Sequence, residues 1–179
     1  MDTVSYQVGR SQIKDGDLIF LTDHTIAGFL IRLFTRTKYS HCNIAFWDQT
    51  PAGPRILAVE SQGGTTRRII NLSFYTKKGS MDIISSPKDW TTVVAPVALQ
   101  QLGFAKYGYF EALYVGLREF LLKYLDIKIS EKAVQKSEIC SEFMARVIQW
   151  PDTEISPGLL AQQLIAAGNP VKLMIARTE

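Results

Sequence analysis

Cysteine and histidine are scarce in this 179-residue chain, two of each, and the scarcity restricts the chemistry it can carry. Cys42 and Cys140 lie nearly a hundred positions apart, so no CxxC pair exists and a zinc knuckle or thioredoxin-type motif is excluded by spacing. Two cysteines also make a poor disulfide scaffold. No apolar run approaches the ~18 residues that cross a bilayer. Met1 to Tyr6 lacks the basic and apolar regions of a secretory signal. The chain as it stands therefore reads as cytoplasmic, where thiols stay reduced. Charge of one sign is missing too: 20 Lys+Arg stand against 17 Asp+Glu, a net +3 spread along the chain. A nucleic-acid binder gathers its basic residues in a patch, whereas Arg67-Arg68 and Lys77-Lys78 are only pairs. No nucleic-acid partner is expected.

What is present suits one soluble domain spanning residues 1–179. Hydrophobic residues make up 46% and charged residues 21%, enough to bury a core. Gly16-Asp17 signals a turn, and Leu18 to Leu21 reads as a short buried strand. Thr22 or Asp23 can cap a helix that carries Ile26, Phe29, Leu30, Leu33 and Phe34 at helical spacing and ends near Arg36. Tyr39 to Trp47 is rich in β-formers and is broken by the loop Gln49 to Pro54. Arg55 to Ser61 is its partner strand, closed by Gly63-Gly64. Arg68 to Leu72 and Met81 to Ser85 extend a meander of mostly antiparallel strands.

After Pro96, which suits a first helical position, the texture turns helical. Tyr109 to Leu125 has the pattern of an amphipathic helix. A further helix opens at Ser137 to Glu142 and points Phe143, Met144, Val147 and Ile148 inward until Trp150-Pro151. A last helix runs from Ser156-Pro157 to Gly168-Asn169-Pro170, before a final strand, Val171 to Ala176.

Cys140 falls in the first turn of its helix, where unpaired N–H groups and the helix dipole favour a thiolate, the form in which sulfur is nucleophilic. Such a thiol needs a base. His41 sits in a β-like run, a rigid platform from which to aim an imidazole, while His24 lies in a helix-capping region, so His41 is the better candidate. Cys42 must point to the opposite face of the strand and reads as core packing. Glu60 is a carboxylate inside the apolar run Leu57-Ala58-Val59-Glu60 and can orient the base; Gln62, on the same strand face, is the alternative. A metal site from His24, His41, Cys42 and Glu60 is disfavoured, since His41 and Cys42 face apart and no pair has ligand spacing. No cofactor or metal is expected.

Four segments, Gly16 to Phe20, Tyr39 to Ala45, Leu57 to Glu60 and Ile139 to Phe143, resemble in that order the signature of the circularly permuted NlpC-type cysteine peptidases of the papain-like superfamily. The resemblance is to the YiiX-like branch, in which the cysteine helix follows the histidine strand. Tyr107-Gly108-Tyr109 and Ile155 to Leu160 resemble two further segments of that branch. The resemblance implies an α+β fold, an antiparallel papain-like sheet or barrel packed against helices. It also implies Cys140 as nucleophile, His41 as general base and Glu60 as orienting residue of a thiol hydrolase cleaving amide bonds. The implied substrate is a peptide, a murein peptide or an acyl lipid. A lipid acyltransferase or thioesterase on the same site, and a non-enzymatic peptide- or lipid-binding module, stay open as alternatives. The aromatic stretch Phe104, Tyr107, Tyr109, Phe110 and Tyr114, with the helix to Leu125, could wall an apolar pocket or touch a membrane surface. Cys42-Asn43 departs from the family, which usually has an aliphatic residue and a small one after Ser-His, and Asn43 shares a strand face with His41. Ser141 is turned about 100° from Cys140 by one helical step and is expected to make a helix-start hydrogen bond.

Overall fold

A computed structural model of the chain describes residues 3–61, 67–103 and 139–178. Seven strands form one open sheet in the order β1-β7-β6-β2-β3-β4-β5, with helices packed against it. The fold is α+β, and the sheet does not close into a barrel. Its centre is the meander expected from the sequence: β2 (Leu18–Asp23), β3 (His41–Thr50), β4 (Gly53–Glu60) and β5 (Arg68–Asn71) pair antiparallel in turn. On the other side of β2 the sheet continues through β6 (Gly79–Ile84) and β7 (Val171–Ile175), to which the two-residue β1 (Thr3–Val4), followed by the one-turn helix α1 (Tyr6–Gly9), adds in parallel.

Local chemistry explains the main joints. Gly16 takes a φ of 84°, a left-handed conformation that costs glycine little. Asp17, next in the chain, accepts from the Lys14 N–H at 2.6 Å and pairs with Lys172 of β7 at 2.6 Å. The β3–β4 connection is tighter than the six-residue loop read from Gln49 to Pro54. Pairing runs to Thr50 opposite Gly53 and leaves only Pro51 and Ala52 in the turn, because Gly53 supplies a φ of 108°.

Two helices, α2 and α3, differ from the sequence-based expectation. In α2 (Ile26–Thr35) the N-cap is Thr25, whose hydroxyl accepts from the Gly28 N–H, since β2 continues through Asp23. The apolar stripe of α2 faces away from the sheet: Ile26 is 82%, Phe29 54%, Leu30 41% and Leu33 55% exposed, while Gly28 is buried. The helix after the sheet, α3 (Ala95–Gln100), is preceded by a π turn from Trp90 to Val94, so Pro96 sits within its first turn instead of opening it. In α4 (Cys140–Val147) the N-cap is Ile139, and in α5 (Pro157–Ala166) it is Ser156, as expected. The stretch from Tyr109 to Leu125 and the aromatic run before it lie outside the described residues.

Side-chain alternation along the strands divides the buried residues between two cores. Leu18, Phe20, Cys42, Ile44 and Val59 point to one side, where Cys140, Phe143, Met144 and Val147 of α4 and Leu160 and Leu164 of α5 meet them. Ile19, Leu21, Ala45, Ala58 and Ile83 point to the other, against Leu72 and Tyr75 of the 3₁₀ turn Leu72–Lys77. Among the described residues no helix is long and apolar enough to cross a membrane.

Candidate active site

Cys140 is the first residue of α4, directly after Ile139, whose extended backbone (φ −80°, ψ 166°) turns the chain into the helix. The Glu142 carboxylate reaches back to accept from the Ile139 N–H at 3.0 Å, and the Phe143 N–H donates to the Ile139 carbonyl at 3.0 Å. This anchors the first turn on which the sulfur sits. Ser141, the next residue, is fully buried and donates its hydroxyl to the Ile155 carbonyl. The hydroxyl thus ties α4 to the segment entering α5, a tertiary contact in place of the helix-start bond expected from the sequence.

His41 is the first residue of β3 and stands beyond the last β3–β4 pair in register, Ile44 with Val59. Its ring is therefore at the open end of the strand pair. His41 Nε2 lies 3.1 Å from Glu60 Oε2, and the imidazole is an electrostatic neighbour of the Cys140 sulfur. With Nε2 committed to the carboxylate, Nδ1 is the nitrogen left for the sulfur.

Glu60 ends β4 with no solvent exposure. A bare buried carboxylate is costly, and three donors satisfy this one: His41, the Arg68 Nε at 2.8 Å, and the Tyr75 hydroxyl. Burial would raise its pKa, but these partners hold it down at about 2. Tyr75 also lays its ring beside His41, centroids 5.7 Å apart and planes inclined by 40°.

Charge on the other two groups follows. Burial would push the His41 pKa down, but the Cys140 sulfur and the Glu60 carboxylate override it and raise the imidazole to about 10. The Cys140 pKa falls well below that of an ordinary thiol, foremost because the Cys42 thiol donates to its sulfur, then because His41 is beside it, against opposition from burial. Both shifts favour an imidazolium–thiolate pair, with the Glu60 carboxylate behind the imidazole.

Cys42 points away from His41, as alternation requires, and packs in the core as expected. Its neighbour there is Cys140, whose charge it influences. Its own thiol is pushed well up by burial and by the negative sulfur beside it. It is thus both a core residue and an electrostatic neighbour of Cys140.

Tyr75 and Arg68 went unnoticed in the sequence. Tyr75 lies in a six-residue 3₁₀ turn with no periodicity to mark it, and Arg68 looked like half of a surface pair. Asn43 shares the His41 face and is 2% exposed, with neither amide atom hydrogen-bonded. His24 is exposed and outside the site, its N–H donating to the Lys78 carbonyl at 3.1 Å. Gln62 lies outside the described residues. Among those described, no group of three or more His, Cys, Asp or Glu is arranged to hold a metal ion.

On the α2 side Cys140, itself 2% exposed, borders a cleft of about 240 Å³, counting space open to solvent, lined also by Ile31 and Thr35 of α2, Ser40, Ile139, Ser156 and Pro157.

No protein-family model matches the chain, and no curated protein matches it. Among solved structures it has a distant likeness to the metalloprotein YiiX from Escherichia coli O157:H7 (DUF1105), at 14% sequence identity and a TM-score of 0.43. The alignment covers 93% of this chain and 89% of that one.

Proposed function

We propose that this chain is a thiol hydrolase of the permuted NlpC-like kind, cleaving amide bonds through a thioester on Cys140. The observation that carries the reading is the contact of Cys140 with His41 while His41 Nε2 is held on buried Glu60. That order of groups is what nucleophilic catalysis by a thiol requires: nucleophile, base, and a third group that fixes the tautomer of the base. The Cys140 thiolate attacks the carbonyl carbon and forms a C–S bond. The oxyanion is met by N–H groups of the α4 first turn, including that of Cys140, which have no partner within the helix. As the tetrahedral carbon collapses, the C–N bond breaks and the His41 imidazolium gives its proton to the leaving amine. His41, now neutral, takes a proton from water, whose hydroxide displaces Cys140 from the thioester. Glu60 stays ionised throughout and balances the imidazolium whenever it forms.

A second reading, an acyl lipid as substrate, draws on α2. The helix that lines the cleft with Ile31 turns Ile26, Phe29, Leu30 and Leu33 outward, and an outward apolar face of this kind marks an interaction surface. On this reading α2 rests on the lipid and the acyl carbonyl enters beside it, with no change in the roles of Cys140, His41 and Glu60.

The test is the intact mass of the protein after exposure to a panel of activated peptide amides and phospholipid esters. A retained acyl group on Cys140 names the substrate class, and Cys140→Ala and His41→Ala should abolish it. Full turnover by Cys140→Ala on a substrate that the wild type accepts would sink both readings. Acyl transfer from phospholipid vesicles that is lost in Leu30→Glu, while soluble amides still react, would select the second.

A further inference from the structure

We propose that Cys140 and Cys42 form a two-thiol oxidation site, in which a small peroxide oxidises Cys140 and Cys42 resolves the product as a reversible disulfide. Both cysteines are free and buried, they lie in one core cluster where α4 packs on the sheet, and each perturbs the charge of the other. A disulfide requires the sulfurs to close to about 2.05 Å with suitable Cβ geometry. Cys140 is the terminal residue of its helix, so the shift falls on one first-turn residue and leaves the body of α4 on the sheet.

The two thiols differ in the way such a pair needs. Peroxides react with thiolates, and Cys140 is the thiolate. Cys42 is held as the neutral thiol and faces the core, which keeps it from direct oxidation. The cleft beside α2 ends on Cys140, and Cys42 is not among the residues lining it. Ser40 and Ser156 give it polar walls.

The chemistry balances with peroxide as the only oxidant. The Cys140 sulfur attacks one peroxide oxygen, an S–O bond forms as the O–O bond breaks, and the His41 imidazolium protonates the departing hydroxide or alkoxide. Sulfur is oxidised by two electrons to the sulfenic acid, and the peroxide is reduced to water or alcohol. Cys42 sulfur then attacks the sulfenic sulfur. The S–S bond forms, the S–O bond breaks, and the leaving hydroxide takes the Cys42 proton as water. Two thiols and one peroxide thus become one disulfide, one alcohol or water, and one water. The disulfide removes the nucleophile reversibly and stops it short of the sulfinic acid, from which thiols do not ordinarily return.

The experiment reads the sulfur and is independent of any hydrolase activity. The reduced full-length protein is treated with hydrogen peroxide and analysed by intact mass and by peptide mapping without reduction. The expected result is loss of two hydrogens, a Cys42–Cys140 linked peptide within one chain, and full recovery with dithiothreitol. In Cys42→Ser the expected product is instead one oxygen on Cys140, trapped by dimedone and passing to the sulfinic acid. Oxygen accumulating on Cys140 in the wild type while Cys42 remains alkylatable after unfolding overturns the proposal, as does a linkage found only between two chains. Because the wild type alone decides the matter, a failure of Cys42→Ser to fold does not rescue it.

Discussion

The two faces of β3 at its first residues are chemically opposite. On one, His41 and Asn43 stand over Glu60, Tyr75 and Arg68, a polar cluster buried under a 3₁₀ turn. On the other, Cys42 and Ile44 meet α4 in a largely apolar core that contains Cys140. His41 and Cys140 therefore approach from different sides of the sheet. They meet because His41 is the end residue of its strand, beyond the last pairing with β4. A histidine two residues further in, at position 43, would be screened from α4 by the sheet itself. The polar face keeps its carboxylate ionised by supplying donors, and the apolar face keeps its thiolate ionised by a neighbouring thiol, an N–H group and the imidazolium.

The comparison breaks most visibly at the link between the faces. His41→Ala removes the imidazolium and should slow alkylation of Cys140 by iodoacetamide at mildly acidic pH by about 10²-fold, the scale of a positioned acid–base group. Cys42 should stay unlabelled in wild type and variant alike. Rapid labelling of Cys140 in His41→Ala, with tryptic mapping as the readout, would show that the apolar face alone holds the thiolate.

Glu60→Gln is the next largest effect. It leaves the buried imidazolium without its counter-charge and should destabilise the fold by roughly 3 kcal/mol in urea titrations at neutral pH. The pH dependence has a definite sign. A carboxyl whose folded pKa is depressed to about 2 contributes stability that is present above its unfolded value, near the ordinary carboxylate 4.5, and lost as pH falls through about 2. His41, raised to about 10, contributes stability that is full below its unfolded value near 6.5 and lost as pH rises through about 10. The wild type should weaken at both ends, and Glu60→Gln should flatten the acid limb. An unchanged acid limb would place the acid sensitivity elsewhere.

Tyr75→Phe keeps the ring beside His41 and removes one of three donors to Glu60. A loss of about 1 kcal/mol is expected, with the upper pH limit of the wild type preserved. The smallest change has the opposite sign. The Asn43 amide is buried without a hydrogen bond, so Asn43→Val should raise stability by about 1 kcal/mol. A loss instead, measured in the same titration, would show that the amide has a partner in solution, such as a bound water.

Much of the fold is legible in local pattern. Strands β2 to β7, the caps of α5 and the face of Cys42 all follow from alternation, turn residues and capping, which are short-range rules. The end of β2 was misread because Thr22 and Asp23 serve equally well as strand residues and as caps, and only pairing with Ser80 and Gly79 across the ladder decides between them. The outward stripe of α2 was unreadable for a similar reason. Spacing identifies an apolar face, and burial of that face depends on what else reaches it. In the candidate site, Cys140, His41 and Glu60 could be picked out as residue types in suitable settings.

Their assembly is another matter, as is the company they keep. Periodicity determined which side of its strand each residue occupies, because that depends on its neighbours in the chain. Register and packing decided that Tyr75 and Arg68 satisfy Glu60, that Ser141 is tied to Ile155, and that the thiol of Cys42 lies on Cys140. Those contacts join residues from 8 to nearly 100 positions apart. They depend on how the sheet aligns β3 with β4 and where α4 settles across it, which no local propensity encodes.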